Sequence, residues 1–358
     1  MVMTMRRCRH ALDCTRVRKK GTGSARMRRF QRAHAMADVE KGPEFRILSL
    51  AGGGYLGFYT ACVLAELEEQ AGEPLGRRFD LIAGTSVGGI LAIALAFEIP
   101  MAKIREIFLE QGTRIFSSRG LPNNAVAKLR DLTRSVLGPK YNGVALNKAL
   151  AKHLGRKTLG EALHSVVVPA VNITLSQTKV FKSPHASGSR GDQGVRAASV
   201  AMATSAAPAY FPAVRVGPHL YADGGLFAVA PDQVAMHEAE HFMRVDASRI
   251  RMLSIGTATM DYRPSSAVSE TDGAVDWLAD GRLLLTLISV QQQHVQAMME
   301  DRLRDRYTRL DAQWPYDAEL GIDVATSEAA EVLSQLAHKT LEDARAVRSV
   351  RRFLSPGS

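Results

Sequence analysis

The sequence predicts an α/β fold, and two strand–turn–helix units carry that prediction. In one, residues 79–83 form a short apolar run of the length of a buried strand, the chain turns at Gly84-Thr85-Ser86-Val87-Gly88, and residues 89–97 continue as an apolar helix. In the other, residues 45–50 read as a strand and residues 51–57 as a glycine-rich loop. Residues 58–70 then read as a helix with Tyr59, Val63, Leu64 and Leu67 at helical spacing. A third observation is permissive: 358 residues with 46% apolar and 23% charged side chains are ordinary for a globular chain with a sizeable core.

In chain order, the first 34 residues hold eleven Lys and Arg against one acid, Asp13, and this segment accounts for the formal net charge of +10. The remaining 35 basic and 35 acidic residues cancel, so the folded part carries no electrostatic signature of a nucleic-acid partner. Residues 1–44 lack the apolar run of roughly seven or more residues that a secretory signal requires. They read as a basic, disordered extension or as translated sequence ahead of the true start. Cys8, His10 and Cys14 lack a fourth ligand at finger-like spacing. With only Cys62 beyond them, the three cysteines fit a reducing compartment rather than a disulfide framework. No apolar stretch is long enough to span a bilayer, so membrane contact is expected to be peripheral.

After the two opening units, helical patterns occupy residues 101–112, 124–137 and 144–154, with a polar loop at 117–124. Residues 165–174 and 178–183 read as strands, the first of them central, and 184–194 as a surface loop. Residues 195–207, nearly all small, read as a helix able to approach its neighbours closely. A short strand at 220–222 closes on Asp223-Gly224-Gly225. The segment around His237 reads as an amphipathic surface helix with polar residues outward, and 250–256 as an apolar strand. Beyond a polar linker at 260–272, residues 274–310 read as one long helix or two, and 327–351 as a final helix. The expected organisation is an extension over 1–44, a core over 45–256 and a C-terminal helical part over 257–358 packed on it.

A G-x-S-x-G between strand and helix is the setting of a nucleophile elbow. The turn strains the backbone of its central residue, and Gly84 and Gly88 remove the Cβ atoms that would clash with strand and helix. Ser86 is thereby presented at the positive end of a helix. Gly52-x-Gly54-x-x-Gly57 also satisfies a dinucleotide-binding fingerprint. That reading wants an acid at the end of the second strand, whereas Asp80 stands at the start of its strand and the strand ends in the serine turn. Gly52, Gly53 and Gly54 leading into a helix instead expose backbone N–H groups suited to an anion. Beside an elbow serine, that anion is the oxyanion of a tetrahedral acyl intermediate.

Ser86 needs a general base, and no histidine late in the chain sits in a catalytic setting. Asp223, followed by Gly224 and Gly225, is by itself an ordinary turn pattern. Partial burial would raise its pKa toward the range where a carboxylate accepts a hydroxyl proton. His237-Glu238-Ala239-Glu240-His241 matches the H-E-x-x-H of zinc hydrolases, but no third ligand follows and no metal is expected.

In this order, Gly52-Gly53-Gly54-x-x-Gly57, Gly84-x-Ser86-x-Gly88 and Asp223-Gly224-Gly225 resemble the patatin-like phospholipases. The block from Ala203 to Pro212 resembles the segment that precedes the aspartate in that family. The resemblance covers about residues 45–256. It implies a three-layer α/β/α domain with a mainly parallel central sheet, followed by C-terminal helices. It further implies a Ser–Asp dyad without histidine: Ser86 as nucleophile, Asp223 as base, and the amides of Gly52, Gly53 and Gly54 as the oxyanion hole. Gly57, Gly84, Gly88, Gly224 and Gly225 then support the turns. Two positions depart from the family pattern, which has Asp or Asn at Ala51 and often Arg or Lys at Leu56. Neither change removes a backbone donor, so activity is still expected.

A narrower resemblance runs from Leu287 to Leu310, with Gln291-Gln292-Gln293 and Asp305-Arg306-Tyr307. It is to the patatin effectors of bacterial CBASS antiphage systems. It implies a serine acyl hydrolase that releases fatty acids from membrane glycerophospholipids, switched on by a cyclic dinucleotide or oligonucleotide. It also implies a cytoplasmic enzyme acting peripherally on the inner membrane, with no cofactor for its chemistry and no nucleic-acid partner. A homo-oligomer is compatible with it. Two rival readings stand beside this one. The first is a constitutive lipase or lysophospholipase without nucleotide control. The second, motivated by Ala51 and Leu56, is a non-catalytic binding module on a degenerate fold.

Overall fold

The computed structural model describes residues 42–118, 138–186, 190–264, 268–273, 276–277 and 281–355. The expected basic extension lies outside them but for its last three residues, as does the helix expected at 124–137. The first half of the chain folds as β1 (Phe45–Leu50), α1 (Gly57–Ala71), β2 (Leu81–Gly84), α2 (Val87–Ala96), α3 (Met101–Ile115), α4 (Val144–Leu154), β3 (Val166–Asn172) and β4 (Gln177–Lys182). There follow α5 (Ala197–Thr204), β5 (Val214–Val216), β6 (His219–Asp223), α6 (Gly225–Ala228), α7 (Asp232–His237) and β7 (Ile250–Ile255). The C-terminal part adds α8 (Arg282–Leu303), β8 (Tyr307–Leu310), α9 (Ser327–Glu342) and α10 (Ala344–Leu354).

The strands form one sheet. β1 lies in the middle, parallel to β2 on one side and β7 on the other, and β8 extends the sheet in parallel beyond β7. β2 pairs in parallel with the start of β3, while β4 and β6 run antiparallel to β3 and β5 antiparallel to β6. Alternation along each parallel strand splits the apolar side chains between two cores. Leu48, Leu50, Ile82, Val166, Val168, Leu253 and Ile255 join the core that holds α1 to α5 and α9. Phe45, Ile47, Leu81, Ala83, Val167 and Met252 join the core that holds α7 and the second half of α8. Helices therefore cover both faces, and the architecture is three layers, α/β/α, around a mainly parallel sheet. Among the described residues no helix is long and apolar enough to cross a membrane.

The C-terminal region departs from expectation. The helical reading of 274–310 ends at Leu303, Arg304 turns the backbone at φ 54, and residues 307–310 form strand β8 instead. The free edge of β7 accounts for this, since Met252 to Ile255 pair in parallel with Tyr307 to Leu310. A strand of four residues is too short to register against a long helical pattern upstream. The region 257–358 is thus not purely helical: it completes the sheet of the core, and Pro43–Ser358 folds as one compact unit. The final helix is two, broken at Asp343, whose carboxylate accepts the N–H groups of Arg345 and Ala346 and so caps α10.

Candidate active site

The site forms where two strands meet head to head. Val167 of β3 pairs with Ala83 of β2 and with Lys182 of β4, so β2 and β4 lie on opposite edges of β3. Ala170 pairs with Asp223 of β6 and Lys179 of β4, which puts β6 on the same edge as β2. β2 and β6 run toward each other along that edge, and their C-terminal ends meet beside residues 168–170 of β3. Ser86, two residues past β2, and Asp223, the last residue of β6, are thereby brought together: Ser86 Oγ donates to Asp223 Oδ2 at 2.7 Å across 137 residues of sequence.

Ser86 sits at φ 55, ψ −127, an uncommon conformation for a residue with a side chain, and caps the N-terminus of α2. Gly84 ends β2 and Gly88 is the second residue of α2. A Cβ on Gly88 would lie 2.3 Å from the carbonyl oxygen of Leu50, so glycine is what lets the helix start against the end of β1. The strained turn is braced by Thr204, whose hydroxyl accepts the Ser86 N–H at 3.0 Å and donates to the Pro169 carbonyl at 2.6 Å.

Asp223 is 5% exposed. Burial pushes its carboxyl up to about 6, against hydrogen bonds from Ser86 and from the Gly225 amide that favour the charged form. Gly225 N–H donates to Oδ1 at 2.7 Å, which leaves Oδ2 for Ser86. Gly224 and Gly225 open α6, and the Asp223 amide itself donates to the Ala206 carbonyl at 3.0 Å. The carboxylate is therefore fixed from both sides of its turn.

The glycine loop contributes less uniformly than its sequence implies. The Gly52 amide donates to the Val229 carbonyl at 2.9 Å and is not available to an oxyanion. The amides of Gly53 and Gly54 donate to no acceptor among the described residues. Gly54 has φ +60, and a Cβ there would lie 2.1 Å from the Ile322 carbonyl, so only glycine fits. Gly57 opens α1, while Ala51 and Leu56 are fully buried. At Leu56, where the family pattern often has Arg or Lys, the side chain is packed in the apolar core.

Ser86, Asp223, Gly53 and Gly54 line a pocket with about 1320 Å³ of free space, open solvent at its mouth included. Its walls are apolar, with Ile90, Ile104, Phe108, Leu150, Phe211 and Ile288 among them. Such a channel accepts an extended hydrocarbon chain with its polar end at Ser86.

The H-E-x-x-H segment is a different arrangement. The His237 and His241 rings stack with centroids 5.0 Å apart. Glu238, expected on an outward polar face, is 2% exposed and meets Lys182 at 2.5 Å and His185 at 3.1 Å. Burial works against its charged form, but the bonds from His185 and Lys182 outweigh burial and hold its carboxyl below the usual range.

Two side chains that hold the site escape a reading of the sequence. Thr204 lies inside the Ala203-to-Pro212 block, whose composition alone signals only close packing. Gln291, part of the glutamine run that carries the narrower resemblance, bonds Gly225 and Val229, which are 66 and 62 residues away, and nothing local marks that role.

Residues 48–236 match the family model described as patatin-like phospholipase. A cGAMP-activated phospholipase of Pseudomonas aeruginosa (strain BWHPSA011 / Pa011) is 40% identical over 271 residues, 75% of this chain and 78% of that protein. A cGAMP-activated phospholipase of Vibrio cholerae serotype O1 is 32% identical over 323 residues, 83% of this chain and 89% of that protein. A cUMP-AMP-activated phospholipase of Escherichia coli is 29% identical over 271 residues, 73% of this chain and 77% of that protein.

Proposed function

The chain belongs to the patatin-like phospholipase family and is a phospholipase, and on that premise we propose that it releases fatty acids from membrane glycerophospholipids through a Ser86–Asp223 dyad. The observation that carries the proposal is the 2.7 Å bond between Ser86 Oγ and Asp223 Oδ2, both of which line an apolar pocket. Ionised Asp223 takes the proton as Ser86 Oγ attacks the ester carbonyl. The Gly53 and Gly54 amides meet the oxyanion, together with the positive end of α2. The proton on Asp223 passes to the departing lysolipid. Water, deprotonated in turn by Asp223, then attacks the acyl-enzyme; the fatty acid is freed as the proton on Asp223 returns to the departing Ser86 Oγ. Ser86→Ala and Asp223→Ala are expected to lower fatty-acid release from phosphatidylglycerol vesicles by roughly a thousandfold or more, with unchanged circular dichroism. An Asp223→Ala protein of normal activity overturns the dyad.

We further propose that a cyclic dinucleotide switches the enzyme on. The support is that all three relatives above are named for activation by such a nucleotide, two by cGAMP and one by cUMP-AMP. The setting that suits a phospholipase of this kind is antiphage defence at the inner face of the membrane. A panel of cyclic di- and trinucleotides tests the switch on the purified protein. A rate raised at least about tenfold by one of them supports it, and equal rates throughout favour a constitutive lipase.

A further inference from the structure

We infer that Gln291 is a positioning residue through which helix α8 holds both halves of the site in register, an inference that rests on Ser86 and Asp223 being the reacting pair. α8 lies outside residues 48–236 matched by the family model. Its first half enters the core on the pocket side through Leu285 and Ile288, and its second half enters the opposite core through Val295, Met299 and Leu303. Gln291 stands at the changeover, half-buried, with its carboxamide against α6.

Oε1 of Gln291 accepts the Val229 N–H at 3.2 Å, and Nε2 donates to the Gly225 carbonyl at 3.1 Å. An N–H requires the amide oxygen and a carbonyl requires the amide nitrogen, so the two partners fix the orientation of the side chain between them. Gly225 and Val229 are i and i+4, the pair that an α-helix would join directly. No backbone bond connects them, although Val229 keeps helical angles of φ −57 and ψ −46. The carboxamide has entered the ladder where the bond of α6 would close.

Both ends of this clamp lead into the site. The Gly225 N–H holds Asp223 Oδ1 at 2.7 Å, and the Val229 carbonyl holds the Gly52 N–H at 2.9 Å. Gly225 thus joins Gln291 to the base, and Val229 joins Gln291 to the loop that carries Gly53 and Gly54. One side chain sets the spacing between the carboxylate and the amides that meet the oxyanion. The next residue anchors the helix from behind: Gln292 Nε2 donates to Thr259 Oγ1 at 3.1 Å, and its Oε1 accepts from Arg309 on β8. A displacement of α8 consequently reaches Asp223 and the glycine loop together.

The test compares Gln291→Leu, which keeps the bulk and removes both bonds, with Gln291→Glu, which keeps an acceptor for Val229 but cannot donate to Gly225. Gln293→Ala is the control, because Gln293 is exposed and bonds within α8 to Ser289. Turnover is read on phosphatidylglycerol vesicles across pH, at the best nucleotide of the panel, with Ser86→Ala run alongside. Gln291→Leu is expected to lower kcat by roughly 30- to 100-fold with KM within about threefold, the scale of a small misplacement of reacting groups. Its acid limb is expected to move to higher pH, since a looser Gly225 bond no longer favours the carboxylate. A merely structural role would lower the melting temperature and leave that limb in place. Gln291→Glu is expected between Gln291→Leu and wild type, and it carries the test should Gln291→Leu not fold. Wild-type kcat and acid limb in a folded Gln291 variant, with Ser86→Ala inactive, overturn the clamp alone. Retained turnover in Ser86→Ala overturns instead the dyad on which the inference rests.

Discussion

Thr204 ties the backbone of Ser86 to β3, accepting the Ser86 N–H and donating to the Pro169 carbonyl through one hydroxyl. A serine at φ 55 stores strain of about 1–3 kcal/mol, and such a residue keeps its conformation only where the surroundings over-determine it. Thr204→Val preserves shape and leaves both backbone groups unpaired in a buried setting. It is expected to cost about 1–3 kcal/mol in denaturant unfolding. It should also lower kcat at least about tenfold, while Thr204→Ser retains both stability and rate. Equal stability and turnover in Thr204→Val would show that the hydroxyl is dispensable.

The pH–rate profile follows from Asp223. The proposed mechanism uses the ionised carboxylate, and burial pushes its pKa up to about 6. The rate is expected to rise with pH, reach half its maximum near pH 6 and level off above it. A titration of kcat/KM between pH 4 and 8 reads this directly. A half-maximum near pH 4, the value of an exposed aspartate, would contradict a desolvated base.

Stability should run the other way. The folded-state pKa of Asp223 lies above its ordinary value of 3.8, so the folded state binds the proton more tightly than the unfolded chain. Its contribution to stability is fully present below about pH 4 and is lost as pH rises through about 6, by roughly 3 kcal/mol for a shift of this size. Asp223→Asn keeps an oxygen for the Gly225 N–H and carries no charge. It is therefore expected to melt higher than wild type at pH 8 and to lose that advantage near pH 4. The same protein should be inactive. An Asp223→Asn variant less stable than wild type at pH 8 would argue that the charge is not penalised.

The glycine loop can be tested at Gly54. An added methyl meets the Ile322 carbonyl at 2.1 Å and must be borne at φ +60. Gly54→Ala is expected to displace the Gly53 and Gly54 amides and to lower kcat about a hundredfold or more, the scale of losing one oxyanion donor. Labelling of Ser86 by a fluorophosphonate should slow in parallel. Labelling and turnover at wild-type rates would remove these amides from the mechanism.

Much of the molecule was legible in the sequence because it is locally encoded. The β1 and β2 runs, the helices α1 and α2, and α4 over Val144–Leu154 depend on apolar spacing and glycines within about a dozen residues. The same holds for the elbow, since strand, glycine, serine, glycine and helix are contiguous. The errors lie where contacts made elsewhere overrule local pattern. β8 is a strand because β7 offers an unpaired edge, and Glu238 turns inward because Lys182 and His185 wait for it.

Residue type and local backbone settled which groups are presented: a strained Ser86 at a helix N-terminus, an Asp223 in a glycine turn, and glycines free to expose their amides. Their chemistry as a set was decided only by tertiary structure. Two strands converging on one edge of β3 create the 2.7 Å approach of Ser86 to Asp223. The Val229 carbonyl takes the Gly52 amide out of use, and Ile322 fixes Gly54 from a segment 268 positions away. Gln291, on a helix beyond the matched region, bonds Val229 and Gly225, which hold Gly52 and Asp223 in turn. Such relations are distances between backbones far apart in the chain. They are set by sheet order and register, which no window of sequence contains.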